Sequence, residues 1–540
     1  MTLTQKVIRR IQTTSTSLKN DWQTLRLARS VARRASEDQF LRPVVFFNAS
    51  TRLRGLSLNA AFSLLTSWVF RLSGRPVVHF VCKKGMSHCV LGTDETNLAR
   101  PMACGICIHQ SRTNFTGAQV RYFTFKPDES LTVAIKNFNL DELMHYEHPM
   151  LDASGVFPIG NIVLPSLRWR LRLKSLIDDE PTRYLYRQYI LSAWNVAREF
   201  VALLDRTNPQ VVFLFNGQFF PEATAAWIAR RRGIRVVTHE VGFQPFSGFF
   251  TEGEATAYPI HIPDDFDLDE AQNARLDAYL VKRFHGEFSM AGIRFWPDMK
   301  GLDEAFLQKT AGFKQIVPVF TNIIFDTSQP HANTVFTDMF AWLELVIELA
   351  RLHSETLFVI RAHPDETRAG KESRETVEEW LTNNNATRLP NVVFVPPKEY
   401  FSSYELIQRS KFVMIYNSTI GLEATIMGRA VLCAGNVRFT KYPIVFFSHS
   451  VAEFRSQAEL FLAAENIVVP EEFHRNARRF MYYQLYRTSL PLDPFITTSV
   501  HPSLTRFKDF SWEQLLPGKS PAIAAILDGV LKDDDFLLKE

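Results

Sequence analysis

The feature that most constrains the fold is an alternation of strand and helix patterns between residues 310 and 435. Apolar runs of strand length occur at residues 316–320, 356–360, 391–395, 411–416 and 430–435. A long helical pattern at 334–352 and two shorter ones, SYELIQRS and GLEATIMG, separate these runs. Unbroken apolar runs are typical of strands buried on both faces, which occur in parallel sheets covered by helices. The segment therefore predicts a doubly wound α/β domain.

The same rhythm occurs earlier in the chain. Strand patterns lie at residues 42–48, 75–81, 211–215 and 234–238, with helical patterns at 58–65 and 221–233. Since a helix between neighbouring parallel strands forms a right-handed crossover, these patterns predict a second parallel sheet. The predicted fold class is thus α/β, with two Rossmann-like doubly wound domains that face a cleft and with C-terminal helices.

The length of 540 residues also favours several domains, because one hydrophobic core rarely serves so long a chain. We predict a basic N-terminal arm at residues 1–38 and a Rossmann-like domain at 39–305. A second Rossmann-like domain follows at 306–454, and a helical segment at 455–540 packs back against the domains.

Charge is distributed unevenly along the chain. The net charge is +4, but residues 1–34 hold +7 (eight basic minus one acidic), which leaves −3 for the remainder. The arm is interpreted either as a solvated, partly helical extension or as a contact for an anionic membrane surface. No aromatic interleaving or nucleic-acid module supports binding to nucleic acid. Without a signal-peptide pattern or an apolar stretch of spanning length, we expect a cytoplasmic protein, with the inner face of the membrane as a site of association.

Polar residues follow the strands of the second domain, where open α/β sheets bind their ligands. They are Thr321, Asn322 and Asp326 after the first strand, Arg361 and His363 after the second, and Ser418, Thr419 and Glu423 after the fourth. Arg361 offers a permanent cation and His363 a titratable donor whose motion Pro364 limits, a pair suited to a phosphate ester. The alternative for His363 is a loop residue that caps the next helix.

The stretch NSTIGLEA opens a helix. Its backbone N–H groups and the hydroxyls of Ser418 and Thr419 could bind a phosphate, although ordinary N-capping is the alternative. Glu423 misses the capping-box spacing, so it needs another partner, for which a ribose diol is a candidate.

Two further groups of residues carry candidate chemistry. His239 and Glu240 follow the strand at 234–238 and could accept a proton from a hydroxyl, or could be structural. Cys82, Cys89, Cys104 and Cys107 lie within 26 residues and offer four soft ligands for zinc or an iron–sulfur cluster. Buried free thiols are the alternative, and five cysteines in the whole chain do not make a disulfide scaffold.

Four motifs together resemble bacterial glycosyltransferases of the GT-B fold, of the capsule and surface polysaccharide biosynthesis kind that includes Kdo transferases. They are RAHPDE, YNSTIGLEA, FTNIIFDTS and THEVGF, and they lie within about residues 205–450. The cysteine segment also resembles an N-terminal element of some surface-carbohydrate transferases. The resemblance implies that the first domain binds the acceptor and the second a nucleotide sugar, with His363 on the donor phosphate, Ser418 and Thr419 on the phosphates and Glu423 on the ribose.

The chain departs from the family pattern at Val241. Capsule Kdo transferases tend to have an acidic pair before Gly–Phe, so the identity of the catalytic base, Glu240 or His239, stays open.

The predicted function is metal-independent transfer of a sugar from a nucleotide-sugar donor to a surface or capsular polysaccharide, or to a related or lipid-linked glycan. CMP and UDP are the preferred nucleotides of the donor. A sugar-nucleotide epimerase of the same fold and a non-catalytic, metal-binding glycan-assembly protein are the alternatives.

Overall fold

The computed structural model describes residues 3–49, 55–150, 155–287, 299–368, 370–499 and 504–540, with side chains from residue 17 onward. The strands are β1 Val44–Asn48, β2 Val77–Cys82, β3 Gln119–Phe123, β4 His148–Pro149, β5 Val156–Phe157, β6 Val211–Phe215, β7 Arg235–Val241, β8 Ser247–Thr251, β9 Gln315–Phe320, β10 Thr356–Arg361, β11 Val392–Val395, β12 Val413–Ile415, β13 Val431–Cys433, β14 Phe446–Phe447, β15 Leu490–Pro491, β16 Ile496–Thr498 and β17 Thr505–Phe507.

The α-helices are α1 Leu3–Arg34, α2 Leu58–Leu72, α3 Cys104–Asn114, α4 Glu129–Ala134, α5 Leu140–Met144, α6 Ile159–Leu171, α7 Glu180–Thr207, α8 Phe220–Arg231, α9 Glu270–Phe284, α10 Glu304–Thr310, α11 Gln329–Ala332, α12 Met339–Leu352, α13 Val377–Asn383, α14 Ser403–Gln408, α15 Ile420–Ile426, α16 Val451–Ala463, α17 Glu471–Tyr482 and α18 Pro521–Leu531. No helix of the described residues is both long enough and apolar enough to cross a membrane.

The chain forms two compact units. Unit 1 comprises Met1–Arg170, Leu176–Pro259 and Tyr486–Glu540, and unit 2 comprises Leu171–Ser175 and Ile260–Leu485. The boundary near residue 260 differs from the one expected at 305/306, because α9 and α10 pack within unit 2.

Unit 1 contains a seven-stranded sheet in the order β15-β8-β7-β6-β1-β2-β3. The five strands from β7 to β3 are parallel, with Val44 of β1 opposite Val77 on one side and Val211 on the other. β8 and β15 complete the sheet as antiparallel strands. The predicted strands at 42–48, 75–81 and 211–215 are therefore confirmed. β7 is longer than the pattern at 234–238 predicted.

The apolar core of unit 1 surrounds α2, which Ser57 caps and whose residues are buried from Ala61 to Arg71. From residue 17 onward α1 also contributes to this core, because Leu27, Ala28 and Val31 are buried among its side chains. This part of the basic arm is thus a packed helix, which corrects the interpretation as a solvated extension.

Unit 2 contains a six-stranded, fully parallel sheet in the order β11-β10-β9-β12-β13-β14. This is the Rossmann order 3-2-1-4-5-6, whose direction of winding reverses between β9 and β12. All five strand patterns predicted between residues 310 and 435 are confirmed. With its two doubly wound units the chain has the fold class expected for GT-B proteins.

The C-terminal part of the chain is only partly helical. α16 and α17 belong to unit 2, whereas residues 486–540 return to unit 1 and form three short strands before α18. β15 pairs with β8 at the edge of the sheet, so this region is held by strand pairing that a local helical pattern does not reveal.

Candidate functional site

The carboxyl ends of β9, β10 and β12 lie side by side in unit 2, at the point where the winding of the sheet reverses. The loop after β9 is tied to the end of β10, because both the amide and the hydroxyl of Thr321 donate hydrogen bonds to the carbonyl oxygen of Arg361, at 3.1 and 3.0 Å. Open α/β sheets bind ligands at this position.

A pocket with about 690 Å³ of empty volume lies at these strand ends. Six of the predicted binding residues line it, namely Thr321, Arg361, His363, Ser418, Thr419 and Glu423. Asn322 and Asp326 are not among its lining residues. The backbone amide of Asn322 contacts Met339 Sδ at 3.1 Å, and exposed Asp326 accepts hydrogen bonds from Ser328. These two residues therefore shape the loop after β9.

Arg361 supplies a cation on the wall of this pocket. Its side chain is 4% exposed, and Nη2 donates to the carbonyl oxygen of Glu399 at 3.0 Å. Burial lowers the pKa of Arg361 to about 10, so the guanidinium is still charged at neutral pH. A buried, oriented guanidinium is well suited to a phosphate oxygen.

His363 lies at the start of a 3₁₀ turn, Pro364–Thr367. The amide of Asp365 donates to His363 Nδ1 at 3.1 Å. One ring nitrogen of His363 therefore caps the turn, as the alternative interpretation proposed. Burial lowers the pKa of His363, although the carboxylates of Asp365 and Asp326 act in the opposite direction. The imidazole is therefore neutral at physiological pH and carries its proton on Nε2, where it can donate a hydrogen bond.

The loop between β12 and α15 brings two hydroxyls to the pocket. Ser418 Oγ accepts a long hydrogen bond of 3.4 Å from the amide of Ile420, whereas the Thr419 side chain makes no capping hydrogen bond. α15 has seven residues, so its dipole is small and the hydroxyls carry more of the expected phosphate recognition.

Glu423 is buried, and other side chains already hold both of its oxygens. Arg283 Nη2 donates to Oε1 at 2.6 Å, and Tyr404 Oη donates to Oε2 at 2.5 Å. Burial and the charge of Glu423 raise the pKa of Tyr404 well above its usual value, so the phenol remains a donor. Glu423 does not form a capping box, and its partners are the guanidinium of Arg283 and the phenol of Tyr404, both in unit 2.

Arg283 is a residue of the pocket that the sequence motifs did not identify. It lies in the last turn of α9, on the buried face that also carries Leu276 and Leu280. The signal was present in the sequence, because an arginine that falls at i, i+4 and i+7 with two leucines occupies the apolar stripe of an amphipathic helix. Such an arginine requires a buried partner.

A buried carboxyl close to His363 gives unit 2 a pH dependence. Burial raises the pKa of Glu366 to about 7, and the carboxyl accepts a hydrogen bond of 2.9 Å from the amide of Val377. Between about pH 4.5 and 7 the folded state holds a proton that the unfolded state has lost. Stability therefore falls as the pH rises through this window.

We expect Glu366→Gln to stabilise unit 2 by about 3 kcal/mol at pH 8, and to change its stability much less at about pH 5. Scanning calorimetry of the full chain at the two pH values measures this difference. Glu344→Gln, which alters an exposed carboxylate on α12, is the matched control. Equal melting-temperature shifts for Glu366→Gln at both pH values would contradict the assignment of a raised pKa to Glu366.

In unit 1, β7 continues through Val241 and so includes both candidate bases. Because successive side chains of a strand point to opposite faces, His239 and Glu240 have different surroundings. His239 is 1% exposed and stacks on Phe213 at a ring-centroid distance of 5.2 Å. Burial lowers its pKa to about 3, so it is a neutral core residue. This environment favours Glu240 as the base.

Glu240 is partly exposed near the carboxyl end of β7. Its Oε1 accepts from Asn59 Nδ2 at 3.0 Å and from the Val241 amide at 2.8 Å, and Oε2 accepts from Asn216 Nδ2 at 3.2 Å. Two side-chain amides from α2 and from the loop after β6 thus orient the carboxylate. An oriented, solvent-accessible carboxylate can accept a proton.

The four predicted cysteine ligands are partly buried thiols of unit 1 that line one pocket with about 500 Å³ of empty volume. Burial is the main cause that raises the pKa of Cys82 and of Cys107 to about 12 and that of Cys89 to about 11. Among the described residues, no three His, Cys, Asp or Glu side chains are grouped so that they could hold a metal ion.

Part of unit 2 is similar to a family of known proteins. Residues 305–457, which include the loops after β9, β10 and β12, match the family described as "Capsule polysaccharide biosynthesis protein". The family match lies within unit 2 and covers RAHPDE and YNSTIGLEA, so the resemblance that these motifs indicated is confirmed.

Individual proteins match this chain at low identity. Protein FixF of Sinorhizobium fredii is 22% identical over 350 residues, which cover 62% of this chain and 74% of FixF. The β-Kdo 2,4 transferase of KpsC from Thermosulfurimonas dismutans is 11% identical, with a TM-score of 0.35 over 52% of this chain and 80% of its own. A UDP-GlcNAc 2-epimerase of Neisseria meningitidis is 14% identical, with a TM-score of 0.25 over 60% and 88%. The fold assignment rests on the strand order of the two sheets.

Proposed function

We propose that the protein is a glycosyltransferase of capsule polysaccharide biosynthesis, which binds a nucleotide-sugar donor in the pocket of unit 2. The observation that carries this proposal is the convergence of Arg361, His363, Ser418 and Thr419 on one pocket at the carboxyl ends of a Rossmann-ordered sheet. A charged guanidinium, a neutral imidazole donor and two hydroxyls are complementary to the phosphate of a nucleotide.

In the proposed reaction an acceptor hydroxyl oxygen forms a bond to the anomeric carbon of the donor sugar. The bond between that carbon and the phosphate oxygen breaks, and its electron pair remains on the departing nucleotide. Arg361 and the His363 Nε2–H stabilise the negative charge that develops there, so these donors perform the role that a metal ion has in other transferases. The proton of the acceptor hydroxyl moves to Glu240.

The donor is proposed to be a CMP or UDP sugar, and the acceptor a capsular, surface or lipid-linked glycan. Glu423 remains the candidate for the ribose, and a diol would then share or replace the hydrogen bond from Tyr404 or Arg283. Contact of the basic helix α1 with an anionic membrane is a further proposal, supported by Leu18 and Trp22, which are 65% and 64% exposed.

The first test is a thermal-shift panel of CMP, UDP, GDP and dTDP sugars on the full chain, for which we expect one base to raise the melting temperature. The preferred donor is then incubated with and without acceptor glycan. Nucleotide release that requires the acceptor supports transfer. Release or isomerisation of the sugar without an acceptor would instead indicate an epimerase, and the absence of any shift would contradict a donor site.

We expect His363→Ala to weaken donor binding by about 10- to 100-fold, because one hydrogen bond to a charged phosphate is lost. Titration calorimetry with the preferred nucleotide sugar measures the affinity, and the melting temperature reports the fold. His449→Ala, at an exposed histidine of unit 2, is the matched control. Unchanged affinity, or loss of the folded state, would show that His363 serves only as the cap of its turn.

A further inference from the structure

The four clustered cysteines bracket a long irregular connection in unit 1. Cys82 is the last residue of β2 and Cys104 is the first residue of α3, and residues 83–103 between them contain neither helix nor strand. Irregular connections of this length are uncommon in compact domains unless they have a function. A backbone without ladder hydrogen bonds needs other interactions to hold it in one conformation.

All four cysteine side chains line the same pocket, although they come from three different parts of the connection and its flanks. Ala49, which follows β1, and Pro221, at the start of α8, also line it, so the pocket lies at the carboxyl edge of the sheet. Open α/β sheets bind their ligands at this edge.

Two of the cysteines occupy equivalent C-x-x-G turns. The amide of Gly85 donates to Cys82 Sγ and the amide of Gly92 donates to Cys89 Sγ, each at 3.2 Å. A Cβ atom at Gly92 would lie 2.9 Å from Cys89 Sγ, so a larger residue at this position would displace the thiol. Backbone N–H groups directed at sulfur stabilise metal-bound thiolates and tune iron–sulfur clusters.

The other two cysteines lie in the first turn of α3, where Cys104 and Cys107 are three residues apart and therefore share one face of the helix. The first turn of α3 contains no acidic residue, and Lys84 is among the residues that line the pocket. The positive end of the helix dipole and this cation favour a group that carries negative charge.

We propose that Cys82, Cys89, Cys104 and Cys107 bind an iron–sulfur cluster, with one thiolate on each iron. A single zinc ion requires all of its ligands about 2.3 Å from one point. The four thiols line one pocket, and among the residues that the structure describes no three His, Cys, Asp or Glu side chains are grouped around one metal-ion position. A cluster accepts ligands that are spread around its own volume, since each iron needs only one cysteine. The cluster would fix residues 83–103 against the sheet.

The test is anaerobic purification of the full chain, followed by iron and sulfide analysis and by absorption and EPR spectroscopy. We expect about four iron and about four sulfide ions per chain, either as isolated or after reconstitution with ferrous iron and sulfide. Cys82→Ser and Cys107→Ser should each lose most of the iron and the visible absorption. Cys433→Ser, at the buried free thiol of unit 2, is the matched control and should retain both.

Limited proteolysis provides a readout for the connection itself. We expect the loaded protein to resist cleavage between residues 83 and 103, and the metal-free protein to be cleaved there first. Stoichiometric zinc in place of iron would overturn the proposal. So would a folded chain that binds no iron after reconstitution, or iron binding that the two cysteine variants leave unchanged. None of these results bears on donor binding in unit 2.

Discussion

Glu240→Gln is expected to lower turnover by about 10²- to 10⁴-fold at saturating donor, while donor affinity changes by no more than a few-fold. The substitution preserves the shape of the side chain, but an amide cannot take the proton of the acceptor hydroxyl. Asn59 and Asn216 each donate to the carboxylate, so the side chain is already oriented before an acceptor arrives. Steady-state kinetics with donor and acceptor varied independently separate turnover from binding.

His239→Ala serves as the comparison for the base. Because His239 is packed against aromatic rings in the core, we expect this variant to lose stability, with turnover of the folded fraction retained. Glu252→Gln, at an exposed carboxylate that follows β8, controls for the loss of a negative charge in the same sheet. Full activity of Glu240→Gln together with inactivity of well-folded His239→Ala would move the role of base to His239.

Arg283→Met is expected to destabilise unit 2 by about 3–5 kcal/mol, because it leaves the carboxylate of Glu423 buried without its cation. The pair is almost completely removed from water, with side-chain exposures of 9% for Arg283 and 2% for Glu423. Combining Arg283→Met with Glu423→Gln should restore most of the stability, since the second change removes the uncompensated charge. Denaturant unfolding of the two single variants and the double variant gives the coupling energy.

Arg351→Met, at an exposed arginine on α12, is the control for loss of an arginine in the same unit and should change the stability by less than about 1 kcal/mol. Glu423→Gln also tests the proposed contact with the donor. If the ribose donates a hydrogen bond to this carboxylate, the substitution should lower the affinity for the nucleotide sugar. Additive effects of the two substitutions would show that the pair is not coupled, and unchanged donor affinity would assign Glu423 a structural role alone.

The sequence was most informative about the sheet of unit 2. Five strand patterns and the residues that follow them could be read from apolar runs, because a strand buried on both faces leaves a local signature. Arg361, His363, Ser418 and Thr419 reach one pocket for the same reason, since the carboxyl ends of parallel strands lie at one edge of the sheet. The family match to residues 305–457 covers this predictable region.

Prediction was weaker wherever a role depends on which face of an element a side chain occupies. The exit of β7 was placed at residue 238, although the strand continues to Val241, so His239 and Glu240 were treated as loop neighbours of equal standing. The alternation of the strand instead buries the first and orients the second. Strand ends are poorly marked when the following residues are compatible with the extended backbone.

By itself the sequence determined two Rossmann-type sheets, the strand patterns of unit 2 and the polar residues at the ends of its strands. Tertiary structure decided that Glu423 is held by Arg283 and Tyr404, that the four clustered cysteines line one pocket, and that the last 55 residues, Tyr486–Glu540, return to unit 1. The physical reason is the distance along the sequence over which each interaction acts. Hydrophobic periodicity acts over a few residues and leaves a local pattern, whereas pairing of residues 140 positions apart depends on how helices pack.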